Sequence, residues 1–122
     1  SPSGTPGVQT ILPVMLNHVH NGKLTLEKLV ELMCYGPQRV HGVVGKGRIA
    51  RGYDADLTIV DLNKTMTITN AQQQSRAGWT PFDGMAVTGW PVSTIVNGQI
   101  VMQDGELKAR NAGKVLEFYD TF

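Results

Sequence analysis

The 122-residue sequence has one cysteine, Cys34, so no disulfide can form within it and a reducing, cytoplasmic setting is expected. Long apolar runs are missing too. No stretch reaches the roughly 20 residues that a membrane-spanning helix needs, and the first residues do not read as a signal peptide. Charge of one sign is also lacking: eleven Lys and Arg stand against ten Asp and Glu, a formal net charge of +1. The basic residues are scattered, leaving no field to gather nucleic acid or an anionic membrane surface. What is present is enough for one ordinary domain, with 41% hydrophobic residues to build a core. The chain opens Ser1-Pro2-Ser3-Gly4, without methionine and inside what reads as an ordered Gly/Pro-rich loop, so a fragment of a longer polypeptide is expected.

Helical spacing comes first. Val8, Ile11, Leu12, Met15, Leu16 and Val19 recur on one face, Gly22 can end the segment, and Pro13 implies a helix that begins close to it or bends there. A second helix is capped by Thr25, has Glu27 at its positive end and carries a stripe of Leu26, Leu29, Val30 and Met33. Gly36 is expected to close it. Pro37 then suits the first turn of a short third helix ending before Gly42.

After Val44 the pattern turns to strands. Lys46 to Ala50 reads as one strand, Gly52-Tyr53-Asp54 as a turn, Asp56 to Leu62 as a second strand and Thr65 to Thr69 as a third. Asn97-Gly98 predicts a tight hairpin joining Thr94–Val96 to Gln99–Met102, and Asp104-Gly105 a second reversal before Glu106 to Ala109. Asn70 to Pro91 has little periodicity, as befits a functional segment or one laid across another surface. Three short helices make a thin core and the few strands leave open edges, so both parts look short of packing partners.

Few residues invite chemistry. His18 and His20 form a His-x-His pair, but near the end of a helix positions i and i+2 lie ~200° apart, so the two rings diverge instead of sharing a metal. His41 has no nameable partner for acid–base work, and Cys34, beside an apolar stripe with no basic cluster, reads as an inert buried thiol. Asp54, Asp56 and Asp61 lack the dense alternating oxygens of a calcium loop; turn and strand-edge roles explain them. Ser3 to Gly7, “SGTPG”, differs in kind: glycines before a helix let backbone groups approach a ligand, although an ordinary loop has the same look. “AGWTPFDGM”, Ala77 to Met85, reads as an aromatic-anchored strap with no group placed for acid or base work.

In order, “SPSGTPGVQTILPVML”, “GKLTLEKLVELMCYGPQRVHGV”, “KGRIARGYDADLTIVDL”, “SRAGWTPFDGM” and “GWPVSTIVNGQIVMQDGE” resemble the C-terminal part of the cyclic amidohydrolases, and dihydroorotases in particular. The resemblance covers essentially the whole chain. Its G-x-I-x-x-G-x-D-A-D stretch marks the wider superfamily, whereas the Ser-Gly-x-Pro-Gly loop with “GWTPFDGM” and “GWPV” favours dihydroorotase over hydantoinase, dihydropyrimidinase or allantoinase.

The resemblance implies an α/β metal-dependent hydrolase fragment, the last helices of a (β/α)8 barrel followed by part of a composite β-sandwich. Residues 1–43 would be the barrel helices and 44–122 the sandwich segment, with a strap over about 70–91 crossing the barrel. The implied reaction is the reversible cyclisation of N-carbamoyl-L-aspartate to dihydroorotate in pyrimidine biosynthesis. A binuclear zinc centre polarises the carbonyl and activates water in such enzymes, with its ligands upstream of this chain; no catalytic or metal-binding residue is assigned within it. Ser3 and Gly4 carry over as substrate-binding backbone. The implied partners are the upstream barrel portion of the same polypeptide, a small-molecule substrate, further copies in a homo-oligomer and, for a non-catalytic dihydroorotase-like chain, aspartate transcarbamoylase. The 122-residue chain by itself is expected to be inactive.

Overall fold

The computed structural model describes residues 3–119. Contacts gather into two units that interleave along the chain, one made of the residues up to Leu24 with Val60–Pro91, the other of Thr25–Ile59 with the residues from Val92 onward. Secondary structure is mixed: helices α1 (Ile11–His20), α2 (Leu26–Val30) and α3 (Gly36–His41), and strands β1 (Leu57–Thr67), β2 (Ala86–Val96), β3 (Gln99–Gln103) and β4 (Glu106–Leu107). The sheet order is β1-β2-β3-β4, with β2 antiparallel to β3 and β3 to β4.

In the first unit, α1 starts two residues before Pro13. A first-turn proline is tolerated there because its missing N–H would have had no partner in the helix. Leu16, Ile68 and Val87 form the buried apolar centre, joined by buried Thr10 and Thr80. Asn17 Oδ1 accepts from the Thr88 backbone N–H at 3.0 Å, which ties α1 to β2.

The second unit begins with the expected cap: Thr25 Oγ1 accepts from Lys28 N at 3.1 Å. Gly36, however, does not close the helix. Residues Glu31–Tyr35 form a π turn in which Gly36 N–H bonds Glu31 O, and the chain runs on through Pro37 to a left-handed stop at Gly42, φ 64°. A wider turn shifts the phase of every later side chain relative to a 3.6-residue repeat. Cys34 is nevertheless exposed, not buried as the stripe suggested, because it borders a cavity that none of the described residues fills. Two further corrections concern strands. Lys46 to Ala50 is irregular, because Gly45 and Gly47 take φ 71° and 88°, incompatible with an extended run. The two strands expected over Asp56–Leu62 and Thr65–Thr69 are one, β1, with no turn at Asn63-Lys64. The Asn97-Gly98 and Asp104-Gly105 reversals form as expected, with φ 48° and 77° in the first and 49° and 84° in the second.

Leu29 is the one buried apolar side chain of this unit among the described residues, while Val40, Ile49 and Val115 are 72%, 90% and 95% exposed. Polar ties hold it instead. Val44 N bonds Glu117 O at 2.9 Å and Tyr119 N bonds Gly42 O at 2.8 Å. Lys46 Nζ sits between Asp54 (3.1 Å) and Asp56, and Asp56 Oδ1 accepts from Asn97 N at 2.9 Å. The G-x-D-A-D turn is thereby fastened to the β2–β3 hairpin.

This node has a pH signature. The Lys46 ammonium, then the Asn97 N–H, holds the Asp56 carboxyl below its ordinary range, and the Asp56 carboxylate in turn raises Lys46. A carboxyl depressed by folding stabilises above its unfolded pKa and loses that contribution as pH falls through the folded value; a raised lysine stabilises below its unfolded pKa and loses it as pH rises through the folded one. Stability should therefore decline at both ends of the pH range. Both side chains are partly exposed, so the contribution is about 1 kcal/mol or less. Thermal unfolding across a pH series should show both limbs, and Asp56→Asn should flatten the acid one; an unchanged acid limb would remove Asp56 from the account.

Candidate functional site

The candidate site is built at the entrance to α1. Gly7 O accepts from Thr10 N (3.2 Å), Ile11 N (3.0 Å) and Thr10 Oγ1 (3.4 Å), which pins the end of the Ser3–Gly7 loop to the first turn of the helix. Ser3 and Gly4 lie exposed ahead of that anchor. A side-chain carbon added at Gly4 would meet nothing within 4 Å, and Gly4 is not among the positive-φ glycines. The fold of this segment therefore places no demand for glycine at position 4. No acidic residue occupies the first turn of α1, so the positive end of the helix near the loop is not neutralised by its own side chains.

A second segment meets this one. Gln9 Nε2 donates to Gln72 O at 2.8 Å, and Gln74 N donates to Gln9 Oε1 at 2.8 Å. The segment it grips is braced on its own account: Thr69 and Gln72 close a reciprocal capping box on a 3₁₀ turn at Asn70–Gln72. Asn70 N donates to Asp83 Oδ1 at 2.8 Å and Thr80 N to Asn70 Oδ1 at 2.8 Å. Only part of the non-periodic stretch to Pro91 is irregular, for β2 begins at Ala86. Gln9 had no periodic or motif signal to single it out.

The other candidates fall elsewhere. His20 is exposed and His18 half-buried, with His18 Nδ1 lacking a hydrogen-bond partner among the described residues. Asp61 Oδ1 accepts from Asn63 N at 2.9 Å, a local backbone role, and Asp54 and Asp56 serve the Lys46 node. Cys34 and His41 border a mainly apolar cavity of about 980 Å³ in the second unit, beside Met33, Ile49 and Phe118. Sequence spacing did not reveal that juxtaposition. Among the described residues no group of three or more His, Cys, Asp and Glu side chains could hold a metal ion. No helix there is long and apolar enough to cross a membrane.

Residues 8–101 match the model of the amidohydrolase family, more than half of the chain. The chain belongs to the amidohydrolase family. Curated relatives of this amidohydrolase segment include a dihydroorotase from Methanothermobacter thermautotrophicus, 40% identical over 91% of the chain and 26% of the relative. An L-hydantoinase from Paenarthrobacter aurescens is 45% identical over 86% of the chain and 23% of that protein. Among solved structures, an L-hydantoinase (dihydropyrimidinase) from Arthrobacter aurescens superposes with a TM-score of 0.85 at 42% identity, covering 89% of the segment and 25% of the solved chain. The segment thus spans about a quarter of the length of the amidohydrolases it matches.

Proposed function

We propose that this segment is the C-terminal part of a dihydroorotase-like cyclic amide hydrolase, interconverting N-carbamoyl-L-aspartate and dihydroorotate in pyrimidine biosynthesis, and that Ser3 and Gly4 meet the ring. The observation that carries the reading is the glycine at position 4, which the local fold does not need. Glycine there leaves backbone N–H and C=O groups free for close approach to a planar ring amide, which offers both a donor and an acceptor. In this reading α1 to α3 are the last helices of a (β/α)8 barrel and the strands are part of a composite β-sandwich. The exposed Ile49 and Val115 are then covered by the rest of the polypeptide. Among the described residues no cluster of side chains fits a zinc site, and in this reading the zinc ligands are supplied by other parts of the enzyme. The role left to the segment is to hold and orient the ring.

A second reading has an observation of its own. Identity to the L-hydantoinase, 45%, exceeds the 40% to the dihydroorotase, and a hydantoin ring carries the same alternation of carbonyl and N–H groups. The longer polypeptide carrying this segment should be assayed with dihydroorotate, N-carbamoyl-L-aspartate and a hydantoin. Turnover of the first pair is expected; turnover of the hydantoin alone would transfer the assignment to the second reading. In the same enzyme Gly4→Ala should raise KM by roughly tenfold or more through misplacement of the ring, with little change in unfolding temperature, since among the described residues the added carbon meets no atom within 4 Å. Full activity in Gly4→Ala would remove the loop from the site. No turnover is expected from the 122-residue chain alone.

A further inference from the structure

We propose that Gln9 is a positioning residue, whose side-chain amide locks the segment at Gln72–Gln74 to the turn between the Ser3–Gly7 loop and α1 and thereby sets how the loop presents itself to the ring. The inference rests on the functional reading of Ser3 and Gly4. Its structural basis is a two-point clamp: one amide gives its N–H to Gln72 O and takes the N–H of Gln74, both at 2.8 Å. A carbonyl and an N–H two residues apart offer that pairing to a planar amide as they would to a neighbouring strand, and glutamine supplies donor and acceptor together. A single hydrogen bond on an exposed side chain competes with water and adds little. Two bonds from one rigid plane also fix an orientation.

What lies at each end gives the clamp its leverage. Behind Gln72 stands a braced segment, with Thr69 N bonded to Gln72 Oε1 (3.0 Å), Gln72 Nε2 to Thr67 O (3.1 Å) and Gln73 Nε2 to Thr69 O (3.0 Å). Behind Gln9, two residues away, stands the Gly7 carbonyl that ends the loop. Among the described residues, the hydrogen bonds that join residues 3–10 to residues 69–85 are the two made by Gln9. Without them no hydrogen bond among the described residues would join the loop's end to that segment.

The test uses the longer polypeptide with Gln9→Ala, Gln9→Met and Gln9→Glu, reading KM, kcat, thermal midpoint and hydrogen exchange at the Gln74 amide. Alanine and methionine remove both bonds; KM should rise by roughly tenfold, equivalent to one or two net hydrogen bonds, with kcat within about twofold and faster Gln74 exchange. Glutamate keeps the acceptor for Gln74 N but turns an oxygen toward Gln72 O, so its KM should fall between those of wild type and alanine. Unchanged KM and Gln74 exchange in both alanine and methionine variants would overturn the proposal. So would a lowered midpoint and kcat at constant KM, the mark of a purely structural role. If wild-type enzyme opens none of the rings, it is the functional reading that fails, and unchanged Gln74 exchange would still refute the clamp.

Discussion

Gly47→Ala should lower the stability of the second unit by about 2–5 kcal/mol, the sum of roughly 1–2 for forcing an L-residue into left-handed backbone and roughly 1–3 for overpacking. Gly47 has φ 88°, and a side-chain carbon there would lie 2.8 Å from Gln38 Cβ, 3.0 Å from Cys34 O and 3.2 Å from Tyr35 Cα. Two of those three are backbone atoms of the π turn and its end, which cannot swing aside as the tip of a long side chain can. The π turn is itself tight, since a carbon at Gly36 would stand 2.4 Å from Glu31 O. Gly52 supplies the control, because it has φ 81° but nothing within 4 Å. Gly52→Ala should therefore cost only the backbone share, about 1–2 kcal/mol. Urea unfolding of the two variants separates the contributions, and equal midpoints would show that the contact at Gly47 is not what the glycine is for.

That pair of glycines also shows where the sequence could be read and where it could not. Positions governed by local chemistry were legible: Thr25 as a cap, Pro37 in a first turn, Gly42 as a stop, and Asn97-Gly98 and Asp104-Gly105 as reversals. Each is decided by backbone angles or hydrogen bonds within a few residues. The errors arose where an irregular turn or distant chain made the decision. Gly36 has the look of a helix terminator but is accommodated in helical backbone by the π turn of the five residues before it, and Cys34 is exposed because none of the described residues fills the cavity it borders. Lys46 to Ala50 has strand-forming side chains, but Gly47 is drawn against α3 and the π turn. Asn63 and Lys64, left between two expected strands, lie inside β1, which is hydrogen-bonded to β2. At the candidate site the glycine loop was visible as composition, whereas Gln9 gains its meaning from an amide more than sixty residues away, beyond the reach of any spacing rule.

Gly89→Ala should be comparably damaging to the first unit, about 2–5 kcal/mol, for a reason that can be isolated by a second substitution. Gly89 lies inside β2 with φ 102°, and a carbon there would stand 2.8 Å from Leu16 Cβ, 3.4 Å from Leu16 C and 3.5 Å from Leu16 O. The helix can approach so closely only because the strand lacks a side chain at this point, and Asn17 uses the approach to satisfy Thr88 N. Leu16 is 2% exposed, so Leu16→Ala alone should cost about 2–5 kcal/mol as a cavity. Shortening Leu16 ordinarily makes room for a larger neighbour. Here it should not, because the atoms in the way are Cβ, C and O, all of which alanine retains. The double variant should accordingly be at least as unstable as Gly89→Ala. Recovery of the thermal midpoint in the double variant would mean that the crowding at Gly89 comes from the outer leucine side chain, and that the close approach of α1 to β2 is not what fixes glycine at this position.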